Sequence, residues 1–145
     1  MTAKQYLMEV HKLRRRITSL ELQQEELRTK AEGLRAIVYD KDKVQTSVQN
    51  RFDTIMTELV TVQAEYAKSI AECYAAIAVR EKKIAALTQP RYVDVLRMRY
   101  IEQDKGRQLT LSQIARQMGY SFDRTAHLHR EALEQFRKKY KLSKQ

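Results

Sequence analysis

The chain has 145 residues, with 28 Lys+Arg against 18 Asp+Glu, three glycines, one proline and one cysteine. So few turn formers exclude a sheet-rich fold, and the abundance of Ala, Leu, Glu, Gln, Lys and Arg favours long helices. One thiol forms no internal disulfide, no CxxC or Cys/His cluster is spaced to hold zinc, and no apolar run reaches the length of a signal peptide or a membrane span.

The formal net charge of +10 is uneven along the chain. Residues 1–50 carry 10 basic and 7 acidic side chains, residues 51–90 carry 5 and 5, and residues 91–145 carry 13 and 6. The excess therefore lies in the C-terminal third. A concentrated basic segment is either the footprint of a polyanion binder or a solvated surface.

From the N-terminus, apolar residues recur at alternating steps of three and four. One register holds Ala3, Val10, Ile17, Gln24, Ala31 and Val38, and the other holds Tyr6, Leu13, Leu20, Leu27 and Leu34. This is a heptad seam over about five heptads. The seam pattern stops at the polar run YDKDKVQTSVQN, residues 39–50, where Ser47 is a candidate helix start. A second helical pattern follows through Phe52, Ile55, Leu59, Val62, Tyr66, Ile70, Cys73, Ile77, Ile84 and Leu87. The steps from Tyr66 to Ile70 to Cys73 read as a stutter. Pro90 ends the segment. The expectation is an antiparallel, coiled-coil-like helical hairpin over 1–89, with its loop at 39–50. Two helices bury little surface, so the seam should also close on the C-terminal part or on a second copy.

Residues 90–145 read as a small basic module. Pro90 starts a helix whose apolar face holds Val93, Leu96, Tyr100 and Ile101, with Arg91, Arg97 and Arg99 pointing elsewhere. EQDKGRQ, residues 102–108, reads as a loop. Thr110 is a candidate N-cap for a short helix that buries Leu111, Ile114, Ala115 and Met118. Gly119 closes this helix, because glycine accepts positive φ at little steric cost. Ser121 caps the next helix, with its hydroxyl accepting from the backbone N–H near Arg124. That helix turns Thr125, Leu128, Ala132, Leu133 and Phe136 inward. A small Ala four residues before the Gly, and Leu128 nine after it, make the spacing of a DNA-binding helix-turn-helix, or of a helical corner that uses Gly only to pack.

The second helix of such a motif, about residues 121–136, enters the major groove. Ser121, Phe122, Asp123, Ala126, His127 and Arg130 fall on its outer side or start. Arg116 and Arg124 are placed to reach phosphates. Arg130 suits a guanine edge and Phe122 a thymine methyl. RKKYK, residues 137–141, either extends the basic stripe or is a solvated tail.

No catalytic, metal or cofactor site is expected. His127 and His129 are two apart on one helix and face different ways, and no phosphate-binding, dinucleotide or nucleophile-elbow motif occurs.

The run VLRMRYIEQDKGRQLTLSQIARQMGYSFDRTAHLHREALEQF resembles the fourth region of bacterial sigma factors. The matching residues are Val95, Leu96, Arg99, Tyr100, Leu109, Thr110, Ile114, Ala115, Gly119, Ser121, Arg124, Leu128, Ala132 and Leu133. Thr125 departs from that pattern, which prefers Val or Ile, and its added hydroxyl needs a partner. The whole chain is similar to phage and prophage late-transcription regulators of the ArpU-like type, the linker YDKDKVQTS included. The resemblance implies double-stranded DNA as partner, control of phage late genes in the cytoplasm of a bacterial host, and no enzymatic activity. The helical arm would then oligomerise or reach RNA polymerase. An adaptor protein and a DNA-packaging recognition subunit are the alternatives. Lys41, Lys43, Gln45 and Ser47 either meet a partner or shape the turn.

Overall fold

A computed structural model describes residues 1–39 and 46–144. Helices α1 (Ala3–Tyr39) and α2 (Thr46–Ala85) form a long pair. Helix α3 (Pro90–Leu96) continues into one wider π turn, Arg97–Ile101. Strands β1 (Gln103–Asp104) and β2 (Arg107–Gln108) precede α4 (Leu111–Met118) and α5 (Phe122–Lys139). The fold is the expected helical pair followed by small helices, with a two-stranded ribbon added. Helix α2 starts at Thr46, so it takes up the second half of the polar run 39–50. Lys41, Lys43 and Gln45 lie outside the described residues, as do the side chains of Val38 and Ser47.

The chain divides into two compact units, Met1–Arg14 with Ala75–Gln145, and Arg15–Tyr74. In the second unit α1 and α2 run antiparallel, and the Gln24 amide donates to the Gln63 carbonyl at 3.4 Å. That bond gives the polar seam residue a partner while leaving it only half-buried. Ile17, Leu20, Ala31 and Cys73 are buried here. The inward face of α2 differs from the expected one. It runs Gln49, Phe52, Met56, Leu59, Gln63, Tyr66, Ile70, Cys73, an unbroken alternation of three and four. The stutter is therefore absent, and Ile55 is exposed rather than packed. The physical reason is that α2 is apolar on the flanks of its seam as well, at Ile55, Val60 and Val62. Counting apolar residues then selects a neighbouring stripe.

In the first unit the ends of both long helices pack with the C-terminal helices. Leu7, Val10, Ile84, Val95, Leu96, Tyr100, Ile114 and Phe136 are fully buried. Tyr6 sits beneath two cations, with the Arg80 guanidinium 4.3 Å and the Lys83 ammonium 4.8 Å from its ring centre. Its ring also meets Phe136, which packs on Tyr140 at 4.8 Å. Arg80 is held by the Tyr6 and Ala76 carbonyls and by the Glu9 carboxylate. Lys139 donates to the Ala86 carbonyl and the Tyr140 hydroxyl to the Lys83 carbonyl, so α5 satisfies the open carbonyls at the end of α2. The expectation that the helical pair closes on the C-terminal part thus holds in this unit.

Candidate nucleic-acid interface

The corner between α4 and α5 is set by three local devices. Thr110 and Gln113 form a reciprocal capping box: the Thr110 hydroxyl accepts from the Gln113 N–H at 3.2 Å, and the Gln113 side chain accepts from the Thr110 N–H at 2.8 Å. Gly119 ends α4 at φ 72°, ψ 29°, in the left-handed region. Its N–H and that of Tyr120 both return to the Ala115 carbonyl. Ser121 then caps α5, accepting from the Arg124 N–H at 3.2 Å. Thr110, Gly119 and Ser121 were legible as capping or turn residues in the sequence, while the part played by Gln113 was not.

A Cβ built on Gly119 meets no atom within 4 Å, so only the backbone angle opposes a side chain there. Gly119→Ala is therefore expected to cost about 1–2 kcal/mol, and Gly119→Asn less, because Asn tolerates that region. Urea denaturation of the three proteins checks this, and equal losses for Ala and Asn would contradict it.

Helix α5 has two dissimilar faces. Thr125, Leu128, His129, Ala132, Leu133 and Phe136 are buried. The extra hydroxyl of Thr125 donates to the Ser121 carbonyl at 2.9 Å, which supplies the partner it needs. The other face is open. Ser121, Phe122, Asp123, Arg124, His127 and Arg130 are exposed and Ala126 is half-buried, while Arg116 is exposed on α4. None of the residues singled out from the sequence is buried. Phe122 is 52% exposed, an apolar ring presented at the start of a helix. The Arg124 guanidinium stacks 3.9 Å from the Tyr120 ring centre. His127 pairs with Glu131 at 2.8 Å along the helix. Asp123 in the first turn and Arg137, Lys138 and Lys139 in the last complement the helix dipole.

Three features go beyond the sequence reading. Arg99 is half-buried and donates to the Leu109 carbonyl, bracing the segment before α4. The run 102–108 forms the ribbon β1–β2. His129 is buried, with Nε2 2.8 Å from the Tyr100 hydroxyl. Burial, then Arg99 and then Lys4, lower its pKa to about 4, and burial pushes Tyr100 up to about 12. Its spacing from Leu128 and Ala132 placed it beside the inward face, but an imidazole gave no sign of which side it would join. Among the described residues no group of His, Cys, Asp and Glu side chains is arranged to hold a metal, and no helix is long and apolar enough to cross a membrane.

A short helix, a left-handed glycine corner and a second helix with a buried inner face and a polar outer face define a helix-turn-helix module. Residues 86–138 match the family Sigma-70, region 4, a helix-turn-helix DNA-binding module. We found no similar curated protein and no similar solved structure.

Proposed function

We propose that the protein is a sequence-specific, double-stranded-DNA-binding transcription regulator that acts on phage late genes in a bacterial host cytoplasm. In this reading residues 90–145 are the DNA-binding module and residues 1–89 an arm for self-association or contact with RNA polymerase. The first half of α5 enters the major groove with Ser121, Phe122, Asp123, Ala126, His127 and Arg130, while Arg116 and Arg124 lie against phosphates. The observation that carries it is the outer face of α5. Packing accounts for every buried residue of that helix, and leaves an exposed Phe, His and Arg in register on the side a groove would meet. The +7 excess of residues 91–145 supports the same reading. The apolar flank of α2, with Val60 58% exposed, supports an arm that engages a protein.

The test is an electrophoretic shift with phage genomic fragments, followed by mapping of the protected site. Arg124→Ala with Arg130→Ala is expected to weaken duplex binding at least tenfold, since a base-edge contact is worth about 1–3 kcal/mol and loss of a phosphate contact weakens binding further. The helical circular dichroism signal should stay. If the double variant binds as well as the parent, α5 is not the reading helix. Protection at a packaging site rather than a promoter would replace regulation with genome packaging. Retention of RNA polymerase without any DNA shift would make the protein an adaptor.

A further inference from the structure

We infer that the β1–β2 ribbon is a second phosphate-binding element, gripping the duplex backbone beside the groove that α5 enters; this rests on the DNA-binding reading above. The ribbon is a tight hairpin, with Gln103 paired to Gln108 and Asp104 to Arg107. Its two turn residues, Lys105 and Gly106, both have positive φ, 50° and 77°. That is the turn matching the twist of antiparallel strands, and it favours Asn or Gly at both positions. A Lys in the left-handed region costs about 1 kcal/mol, so the chain holds a cation at the tip against local preference.

The ribbon is also fixed in place. The Gln113 amide donates to the Asp104 carboxylate at 3.2 Å, and Gln113 is the residue that closes the capping box of α4. The Gln108 amide donates to the Arg99 carbonyl at 3.2 Å, and Arg99 in turn holds the Leu109 carbonyl. The tip is thereby tied to the start of α4, the helix that crosses the backbone in a motif of this kind. Lys105 and Arg107 are exposed, and neither has an ion-pair partner among the described residues. Asp104, the nearest acid in sequence, is engaged by Gln113. One concavity, lined by Lys105, Arg107, Thr110, Gln113 and the Gln113-bound Asp104, joins the tip to the start of α4. A second, lined by Glu102, Asp104, Gln113 and Arg116, continues along α4 to Arg116, one of the proposed phosphate contacts, with its two carboxylates at the β1 end. A rigid, unpaired pair of cations at the end of such a track suits the oxygens of successive phosphates, which carry no sequence information.

The experiment measures binding to a long mixed-sequence duplex by fluorescence anisotropy between about 50 and 200 mM salt. Lys105→Gln with Arg107→Gln is expected to flatten the slope of log K against log[salt] by about 1.8, since each phosphate contact contributes about 0.9. Arg107→Gln alone leaves the turn untouched and is expected to flatten it by about 0.9. Lys30→Gln with Arg35→Gln removes the same charge from exposed positions on α1 and should leave the slope unchanged. An unchanged slope in both ribbon variants, or an equal change in the α1 control, overturns the ribbon assignment while DNA binding stands. A parent protein that binds no duplex at any of these salt concentrations overturns both.

Discussion

Phe136→Ala is expected to remove about 3–5 kcal/mol of stability. The ring is fully buried, and it is the point at which α5 meets the base of the long helices through Tyr6 on one side and Tyr140 on the other. Truncation leaves a cavity beside Tyr6, whose ring is also held by Arg80 and Lys83 and is therefore not free to fill it. Against a total of about 5–15 kcal/mol for a chain of this size, such a loss is about a fifth of the whole or more. The expected observation is a urea midpoint shifted sharply down. Phe136→Leu, which keeps most of the volume, should retain well over half of the difference. A loss below about 1 kcal/mol for the Ala variant would mean that α5 does not depend on this contact. Because Phe136 lies on the same helix as the proposed reading residues, the Ala variant should also bind duplex more weakly, in proportion to its unfolded fraction.

The devices that shape the corner were legible because each is local. A Gly in an otherwise helical run, and a Thr and a Ser each just ahead of a helical pattern, announce φ and hydrogen-bond needs that depend on a few neighbours only. The buried set Ile114, Ala115, Thr125, Leu128, Ala132, Leu133 and Phe136 was legible because its period matches the helix. The inward face of α2 was not. Ile55 and Met56, or Val62 and Gln63, are adjacent residues about 100° apart on a helix, and both stripes are rich enough to serve. What decides between them is the partner, α1, and that choice is not written in α2. The choice went against the more apolar stripe, which leaves Ile55 at 41% exposure. The ribbon was hidden for a similar reason. Two-residue strands have no periodicity to detect, and the turn carries Lys where Asn would have signalled a hairpin. The partner of Arg99 was not legible either, because nothing local shows that the carbonyl before α4 needs a donor.

His129 predicts how the module responds to acid. Its imidazole is buried against Tyr100, and the hydroxyl donates to Nε2 when the ring carries its proton on Nδ1. Protonation would place a second charge in a buried site already facing the Arg99 guanidinium, with Lys4 also near enough to oppose it. The native pKa of about 4 therefore lies below the ordinary value of 6.5. Above pH 6.5 the ring is neutral in both folded and unfolded chains, and the full stability is present. As pH falls below 6.5 the unfolded chain takes up a proton that the native state refuses, so stability declines until the native ring titrates near pH 4. The whole interval is worth about 3 kcal/mol. Urea denaturation at a series of pH values between 7.5 and 4 measures it. The parent should lose about 3 kcal/mol more than His129→Leu across that window, since the Leu variant has no proton to take up there. Tyr100→Phe removes the hydroxyl but not the burial, so it should lower stability at neutral pH while keeping most of the acid dependence, because burial is the first cause of the low pKa. If the Leu variant and the parent share one pH profile, His129 does not couple the fold to protons, and the acid sensitivity of the module lies in its carboxylates.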